Sequence, residues 1–270
     1  MNLLAIFAHP DDESFICGGA LAKAAAEGRQ VHLVCATRGE EGEIVHPDID
    51  ADRHPKGEAR GRLREGELER ACAALGIHPP IWLDHCDSGF PVEVGRRNPR
   101  ALMNQEVTAL ERQLLPVIGD LQPEVMITFD PHGLYPHVDH VTIRRAAEAA
   151  FWSAGSVAQP APRRLYYPVY PLDSVRRTQG DPGATMSDVD ADLFGVSADS
   201  VAAAVDISGQ RERKLAAICA HASQFGTGEQ VRAQVGKRPH MMEVEHYGLG
   251  GLRGSFPPMP VDCLFAGLEG

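Results

Sequence analysis

Short apolar segments alternate with longer amphipathic ones along the first part of the chain. Residues 3–7 (LLAIF) are apolar and end at a polar loop, which predicts a buried strand. Residues 18–28 are rich in alanine and end at a glycine, which predicts a helix, and residues 31–37 predict a second strand. A strand, a helix and a strand in this order form a βαβ unit, so we expect the two strands to be parallel.

The same alternation continues as far as residue 155. Apolar runs predict strands at 80–85 and 124–130, and helical periodicity predicts helices at 57–77, 102–121 and 138–155. Such alternation is typical of a doubly wound α/β fold, in which helices cover both faces of a parallel sheet. We therefore predict a Rossmann-like, mostly parallel sheet with helices on both faces.

The pattern weakens after residue 155. Weaker signals predict a strand at residues 163–170 and an edge strand at 200–208. They also predict a helix at 209–224 and a Gly/Pro-rich loop at 248–262. Residues 171–199 are rich in Asp, Gly and Ser and are interpreted as a surface excursion. We expect a single domain over residues 1–270, with a core in 1–155 and a C-terminal part in 156–270 that shapes the substrate site.

The composition excludes some classes of partner. The formal net charge is −11 and no long basic run occurs, so a nucleic-acid partner is not expected. No stretch approaches the roughly 18 apolar residues of a membrane helix, and the N-terminus has no positively charged leader. The six cysteines are scattered without a C-x-x-C pair, which favours buried free thiols in a reducing compartment. We expect a cytoplasmic protein without a membrane partner.

Polar residues concentrate directly after the predicted strands. The segment AHPDDE follows the first strand, TRGEEGE follows the second, and DPHGLYPHVDH follows the strand at 124–130. Ligands of open α/β sheets bind at the carboxyl ends of the strands. If the first and fourth strands are neighbours, as in many doubly wound sheets, the first and third of these segments face each other.

These segments carry the donor types of a catalytic metal site. Such a site usually has three His or carboxylate ligands and an open position for water. His9, Asp12 and one histidine of the HVDH segment supply three ligands. Asp11 is left as a candidate general base, and the other histidine as a candidate donor to an oxyanion. Asp139 is a candidate partner that orients a histidine.

A structural interpretation competes with the metal site. An aspartate in a His-Pro-Asp turn can cap the following helix, and the HVDH segment can do the same at the start of its helix. Two such segments after apolar strands at one sheet edge favour the metal interpretation.

The two segments together resemble the zinc-dependent N-acetylglucosaminyl deacetylases of the LmbE-like (PIG-L) family. Further matching segments follow in order: TRGEEGE, REGELERACAALG, LDHCDSGF, ITFDPHGLYPHVDH and, more weakly, AICAHASQ. The resemblance spans most of residues 1–225. It implies zinc as cofactor, with ferrous iron as the alternative, and it implies that the metal ligands are His9, Asp12 and His140. It also implies that Asp11 is the general base and that His137, oriented by Asp139, stabilises the oxyanion.

The resemblance also suggests substrate-binding residues. Arg64 and Asp87 match residues that bind the sugar in the family, although Arg64 can equally be a surface charge paired with Glu67. Tyr135 is either a mobile residue over the metal or a structural tyrosine beside Pro136. Many family members have glycine in place of this proline, and the excursion at 171–199 has no counterpart that we can match.

The implied reaction is hydrolysis of an N-acetyl group on a GlcNAc-containing small molecule. The DSG segment favours precursors of low-molecular-weight thiols (mycothiol or bacillithiol), such as GlcNAc-inositol or GlcNAc-malate. A thiol-conjugate amidase and a chitooligosaccharide deacetylase are alternatives within the family. The sequence does not decide whether the chain forms a homo-oligomer. A nucleotide-binding Rossmann module is a remote alternative, because ICGGALA lacks the G-x-G-x-x-G turn. A metal-binding scaffold without activity is a further alternative, against which the presence of Asp11 argues.

Overall fold

One seven-stranded sheet organises the protein, whose computed structural model describes residues 1–178 and 190–268. The strand order is β3-β2-β1-β4-β5-β7-β6. The strands are β1 (Asn2–Phe7), β2 (Gln30–Thr37), β3 (Ile81–His85), β4 (Val125–Ile127), β5 (Arg164–Val169), β6 (Ala203–Asp206) and β7 (Val244–Leu252). The first five strands are parallel to one another, and β7 runs antiparallel to β5 and β6. The predicted mostly parallel α/β sheet is confirmed.

Two groups of helices pack against this sheet. The helices in the described ranges are α1 (Asp12–Ala26), α2 (Glu58–Leu75), α3 (Glu93–Arg96), α4 (Val107–Leu121), α5 (Val138–Ser153), α6 (Leu172–Thr178), α7 (Arg211–Ala220), α8 (Ala222–Phe225) and α9 (Gly228–Lys237). Helices α1, α2 and α7 contact one another, α4 contacts α5, and members of both groups contact β1.

Strand β1 lies at the centre of the sheet because its apolar residues are buried on both faces. Residues 3–7 are fully buried, as the apolar run predicts. Leu3 pairs with Val31 of β2 on one side and with Val125 of β4 on the other. The first and fourth strands are therefore neighbours, and the segments that follow them meet at one edge of the sheet.

Three of the predicted helices differ from those observed. Helix α1 begins at Asp12, earlier than predicted, and its backbone leaves helical geometry at Cys17. Helix α4 begins at Val107, not at residue 102, because the backbone of Leu102 hydrogen-bonds to the carbonyl of Cys86. The predicted helix at 209–224 is interrupted at His221, which separates α7 from α8.

The loop predicted at 248–262 is wrong for its first five residues, which belong to β7. Three glycines lie in this strand, and two of them are required by close approach of aromatic rings. A Cβ at Gly250 would overlap the ring of Tyr167, and a Cβ at Gly251 would overlap the ring of Phe151. Glycine here marks a strand packed under aromatic rings, whereas its sequence pattern suggests a turn. The edge strand predicted at 200–208 is confirmed as β6.

Other predictions concern the C-terminal part and the cysteines. The excursion at 171–199 contains α6 and two short 3-10 turns, and its residues 179–189 lie outside the described residues. All six cysteines are free thiols, three of them buried and three half-buried. Within the described ranges, none of the helices has the length and apolar character needed to cross a membrane. Strands from both parts of the chain join the same sheet, and the domain boundary at residue 155 stays a prediction.

Candidate metal centre

The three predicted metal ligands converge at the carboxyl edge of the sheet. His9 follows β1, Asp12 begins α1, and His140 lies in the first turn of α5. His9 Nδ1 lies 3.2 Å from His140 Nε2. The Asp12 carboxylate lies 3.7 Å from His9 Nδ1 and 3.4 Å from His140 Nε2. Residues separated by 131 positions in the chain thus form one buried cluster.

The geometry of this cluster fits a divalent cation. His140 Nδ1 lies 2.9 Å from the carbonyl oxygen of Gly133, to which it donates, so Nε2 presents a lone pair to the cluster. Two ligands of a tetrahedral zinc ion, with bonds of about 2.0–2.1 Å, lie about 3.3 Å apart. The two histidine nitrogens are 3.2 Å apart, and each lies 3.4–3.7 Å from one of the two Asp12 carboxylate oxygens, so the separations are close to that value. His137 is also within reach, since its ring nitrogen lies within 4.8 Å of those of His9 and His140.

His9 is held from behind by two carboxylates. Its Nε2 lies 3.4 Å from Asp87 Oδ1 and 3.3 Å from Asp139 Oδ2. Burial by itself lowers the pKa of His9, but Asp87, Asp139 and Asp12 outweigh it and raise this pKa well above its usual value. A carboxylate behind a ligating histidine fixes the ring and increases its basicity toward a metal.

The carboxylate of Asp139 contacts a different residue from the one expected. Its carboxylate accepts hydrogen bonds from the Ser88 backbone N–H (2.8 Å) and hydroxyl, and it faces His9. Only the backbone N–H of Asp139 contacts His137, at 3.2 Å from Nδ1. The structure therefore corrects the expectation that this carboxylate orients His137: the carboxylate supports His9.

Asp11 lies beside the cluster in a strained backbone conformation, with φ of 108°. Its backbone N–H donates to Glu13 Oε2 at 3.0 Å, and its Oδ2 accepts from Arg64 Nη2 at 3.0 Å. Burial raises the pKa of Asp11 to about 6, with Arg64 opposing and Asp12 adding to this shift. Burial likewise raises the pKa of Asp12 to about 6, and a bound cation would lower both values. A carboxylate of this kind suits proton transfer near neutral pH.

Arg64 is buried, and its surface interpretation is wrong. The side chain is 3% exposed and donates to the carbonyl oxygens of Gly39 (2.6 Å) and Pro10 (2.5 Å) as well as to Asp11. The Glu67 carboxylate instead accepts from the backbone and hydroxyl of Ser223. Arg64 therefore holds the loop around the candidate base, and its contact with substrate stays a prediction.

His137 is suited to donate a hydrogen bond. Its Nδ1 accepts the backbone N–H of Asp139, so the neutral ring carries its proton on Nε2. Burial, together with His9 and His140, lowers the pKa of His137 to about 3. Burial and His9 also lower the pKa of His140 to about 3. A neutral histidine with an Nε2–H group can stabilise an oxyanion without releasing a proton.

The two remaining predicted contacts lie close to the cluster. Tyr135 is 37% exposed, and its ring centroid lies 4.9 Å from that of His140. Asp87 is buried and accepts backbone N–H groups from Gly89 (2.8 Å) and Glu41 (3.2 Å). Burial opposes ionisation of Asp87, but His9 and these hydrogen bonds outweigh it and hold its pKa well below the usual range. Asp87 thus organises the loops, and its binding of sugar hydroxyls stays a prediction.

The sequence did not assign two residues that support the site. His221 Nε2 lies 2.8 Å from Glu13 Oε1, and both side chains are fully buried. Glu13 in turn accepts the backbone N–H of Asp11. In the sequence, Glu13 ends the AHPDDE segment and His221 lies in the late AICAHASQ segment. Neither segment shows that the two residues meet.

Comparisons with known proteins agree with this geometry. A family described as "GlcNAc-PI de-N-acetylase" (PIG-L) matches residues 4–151. The 1D-myo-inositol 2-acetamido-2-deoxy-alpha-D-glucopyranoside deacetylase of Thermobifida fusca is 33% identical over 263 residues, which cover 92% of each chain. The protein of the same name from Nocardiopsis dassonvillei is 35% identical over 237 residues, covering 82% of this chain and 83% of that one.

A solved structure shares the fold. The conserved protein TT1542 from Thermus thermophilus matches with a TM-score of 0.60 and 24% identity, covering 95% of this chain and 97% of that one. At this identity the match supports the fold alone. The sequence matches extend over most of the chain, and they include the segments that build the buried cluster. The chain therefore belongs to the GlcNAc-PI de-N-acetylase (PIG-L) family.

Proposed function

We propose that the protein is a metal-dependent hydrolase that removes the N-acetyl group from GlcNAc joined to a small molecule. The observation that carries this proposal is the position of Asp11, a half-buried carboxylate next to Asp12 in the chain, at the point where the three ligands converge. GlcNAc-inositol is the proposed substrate class, because relatives at 33–35% identity are named for deacetylating this kind of molecule. GlcNAc-malate is the alternative thiol precursor.

His9, Asp12 and His140 are the proposed ligands, and zinc is the proposed metal, with ferrous iron as the alternative. A divalent cation bound there supplies a Lewis acid for the amide carbonyl and makes the attacking water more acidic. Asp11 then accepts the proton of that water as it attacks the carbonyl carbon. The Nε2–H group of His137 donates a hydrogen bond to the oxyanion, a contribution often of about 3–4 kcal/mol.

The leaving amine must be protonated before the C–N bond breaks. Asp11 is the proposed source of this proton, because it has just received one from water. His137 is held neutral by its burial and by its neighbouring histidines, so its proton stays on the ring while it donates to the oxyanion. Arg64 holds Asp11 in place through its 3.0 Å contact and limits the movement of the carboxylate.

Amine release from a panel of substrates tests this function. Zinc-loaded protein is incubated with GlcNAc-inositol, GlcNAc-malate, GlcNAc and diacetylchitobiose, and the expected result is a clear preference for GlcNAc-inositol. Asp11→Asn is the matched control, which should keep its zinc and lose turnover. Turnover of none of these amides by a zinc-loaded protein would reject the deacetylase function. Equal metal binding without turnover in both forms would indicate a scaffold.

A further inference from the structure

A cavity of about 340 Å³ lies beside the candidate metal centre and is separate from it. It opens at the carboxyl end of β5 and at the start of β7, and none of the predicted metal ligands lines it. Its wall includes Leu134, the neighbour of Tyr135, and Phe15, which is one helical turn beyond Asp12. A volume of this size lies within the range of ligand pockets, about 300–1,000 Å³.

The cavity and the predicted sugar-binding residues belong to different parts of the sheet edge. Along the sheet, Asp87 follows β3 at one end, and Arg64 contacts the loop after β2. The metal centre lies at β1 and β4, next along the sheet, and the cavity follows at β5 and β7. The cavity therefore adds a binding volume that the sugar-binding residues do not occupy.

The body of the cavity is apolar. Its lining includes aliphatic and aromatic side chains from five parts of the fold, among them Ile16, Val169, Val175, Phe194 and Val244. An apolar wall of this kind favours a hydrocarbon group over a polyol, because it offers few hydrogen bonds to replace those with water.

The lining of the cavity also contains basic groups. Arg177, Arg238 and His240 all belong to its lining. Burial lowers the pKa of His240, the charges of Arg177 and Arg238 lower it further, and the charge of Glu243 opposes them. Arg238 Nε is buried and has no hydrogen-bond partner among residues 1–178 and 190–268.

The two glutamates of the lining already have basic partners. Glu245 accepts from the backbone N–H groups of Gly19 and Ala20, from Lys214 and from the hydroxyl of Tyr247. Glu243 lies 3.3 Å from Arg211, which is outside the cavity. Arg177 and Arg238 thus carry the positive charge that can attract an anion to the cavity.

We propose that this cavity is a second ligand site, which binds an apolar chain that ends in an anionic group. The chain packs against the wall that includes Phe15 and Leu134, and the anion lies near Arg177 and Arg238. Such a ligand is either a separate molecule or part of the amide substrate. The site itself does not depend on the proposed deacetylase function.

Calorimetric titration of the zinc-loaded protein with octanoate tests the proposal, with 1-octanol as the neutral probe of similar length. We expect octanoate to bind, octanol to bind more weakly, and Arg238→Met to weaken octanoate binding about tenfold or more, as for the loss of one charge-assisted hydrogen bond. Arg232→Met on α9 is the matched control, because it removes the same charge from a residue outside the cavity lining. Val244→Trp fills the cavity and should also weaken binding.

Two results would overturn the proposal: absence of octanoate binding, or binding that requires zinc and is unchanged in Arg238→Met, which would put the carboxylate on the metal. Inhibition kinetics with GlcNAc-inositol then distinguish the two sources of ligand. Competitive inhibition supports a site that continues the substrate site, and non-competitive inhibition supports a site for a separate molecule. If GlcNAc-inositol is not turned over, the deacetylase function fails while the binding result stands.

Discussion

A buried ion pair supports the interrupted helix that carries Asp12. The backbone at Cys17 has φ −141° and ψ 15°, so α1 is broken after its first turn. The N–H groups of Gly19 and Ala20 donate to the two carboxylate oxygens of Glu245, at 2.9 and 2.8 Å. Lys214 Nζ lies 2.7 Å from the same carboxylate. We predict that this pair stabilises the fold strongly, although it is far from the metal ligands in sequence.

The expected magnitude follows from burial. Lys214 is 2% exposed and Glu245 is 5% exposed, so removal of one partner leaves an unpaired charge away from water. Lys214→Met is expected to lower the free energy of unfolding by about 3–5 kcal/mol. The three other hydrogen bonds to Glu245 favour the lower end of this range. Adding Glu245→Gln should restore part of the loss, with a coupling energy of about 1–3 kcal/mol.

Urea denaturation of the wild type, both single variants and the double variant measures these free energies. Arg62→Ala is the control, because Arg62 pairs with Glu58 on the exposed face of α2 and should change the stability by less than about 0.5 kcal/mol. If Lys214→Met unfolds within about 1 kcal/mol of the wild type, or if the two changes add without coupling, the buried pair does not hold α1 as argued.

Three further predictions concern the metal centre. His140→Ala should abolish the thermal stabilisation that added zinc gives the wild type, which is about 2.7 kcal/mol at a hundredfold excess of zinc over its Kd. Ser88→Ala removes the hydroxyl that donates to Asp139 and should weaken zinc binding about 10-fold in a competition assay with a chelator. Gly39→Ala should lower both stability and kcat, measured by denaturation and amine release, because its Cβ would overlap the guanidinium of Arg64.

Each of these has a result that contradicts it. Unchanged zinc stabilisation in His140→Ala would remove this residue from the ligand set. Full zinc affinity in Ser88→Ala would mean that the Asp139 carboxylate does not need the hydroxyl as an anchor. Gly28→Ala is the control for Gly39→Ala, since both glycines have positive φ but a Cβ at Gly28 meets no atom within 4 Å. Equal losses in the two variants would trace the effect to backbone strain and not to Arg64.

The sequence by itself predicted the parallel sheet and the meeting of His9, Asp12 and His140 at one edge of it. The apolar run of β1 needs burial on both faces, and a parallel strand so buried directs the next residues to the carboxyl edge of the sheet. His9 and Asp12 follow this strand, and His140 follows β4, so their meeting could be expected from topology. Strands and helices can be predicted from the sequence because their apolar patterns repeat within a few residues.

Tertiary structure decided which side chains contact each other. The sequence pattern of β7 suggests a loop, yet its glycines lie under the rings of Tyr167 and Phe151. Asp139 faces His9, although it is next to His140 in the chain, because Ser88 anchors its carboxylate. Such contacts depend on side-chain directions and on residues far apart in the chain, which no local pattern encodes.

The buried polar groups show the same division. Arg64 resembles a surface residue on an amphipathic helix, and only the folded structure brings the carbonyl of Gly39 within its reach. Lys214 and Glu245 lie on α7 and β7, and Glu245 also accepts two backbone N–H groups of α1 just after its interruption. The sequence determined which apolar residues must be buried, and the packing of the elements determined which polar partners contact each other. The physical reason is that a buried polar group is stable only where a complementary group forms a hydrogen bond with it.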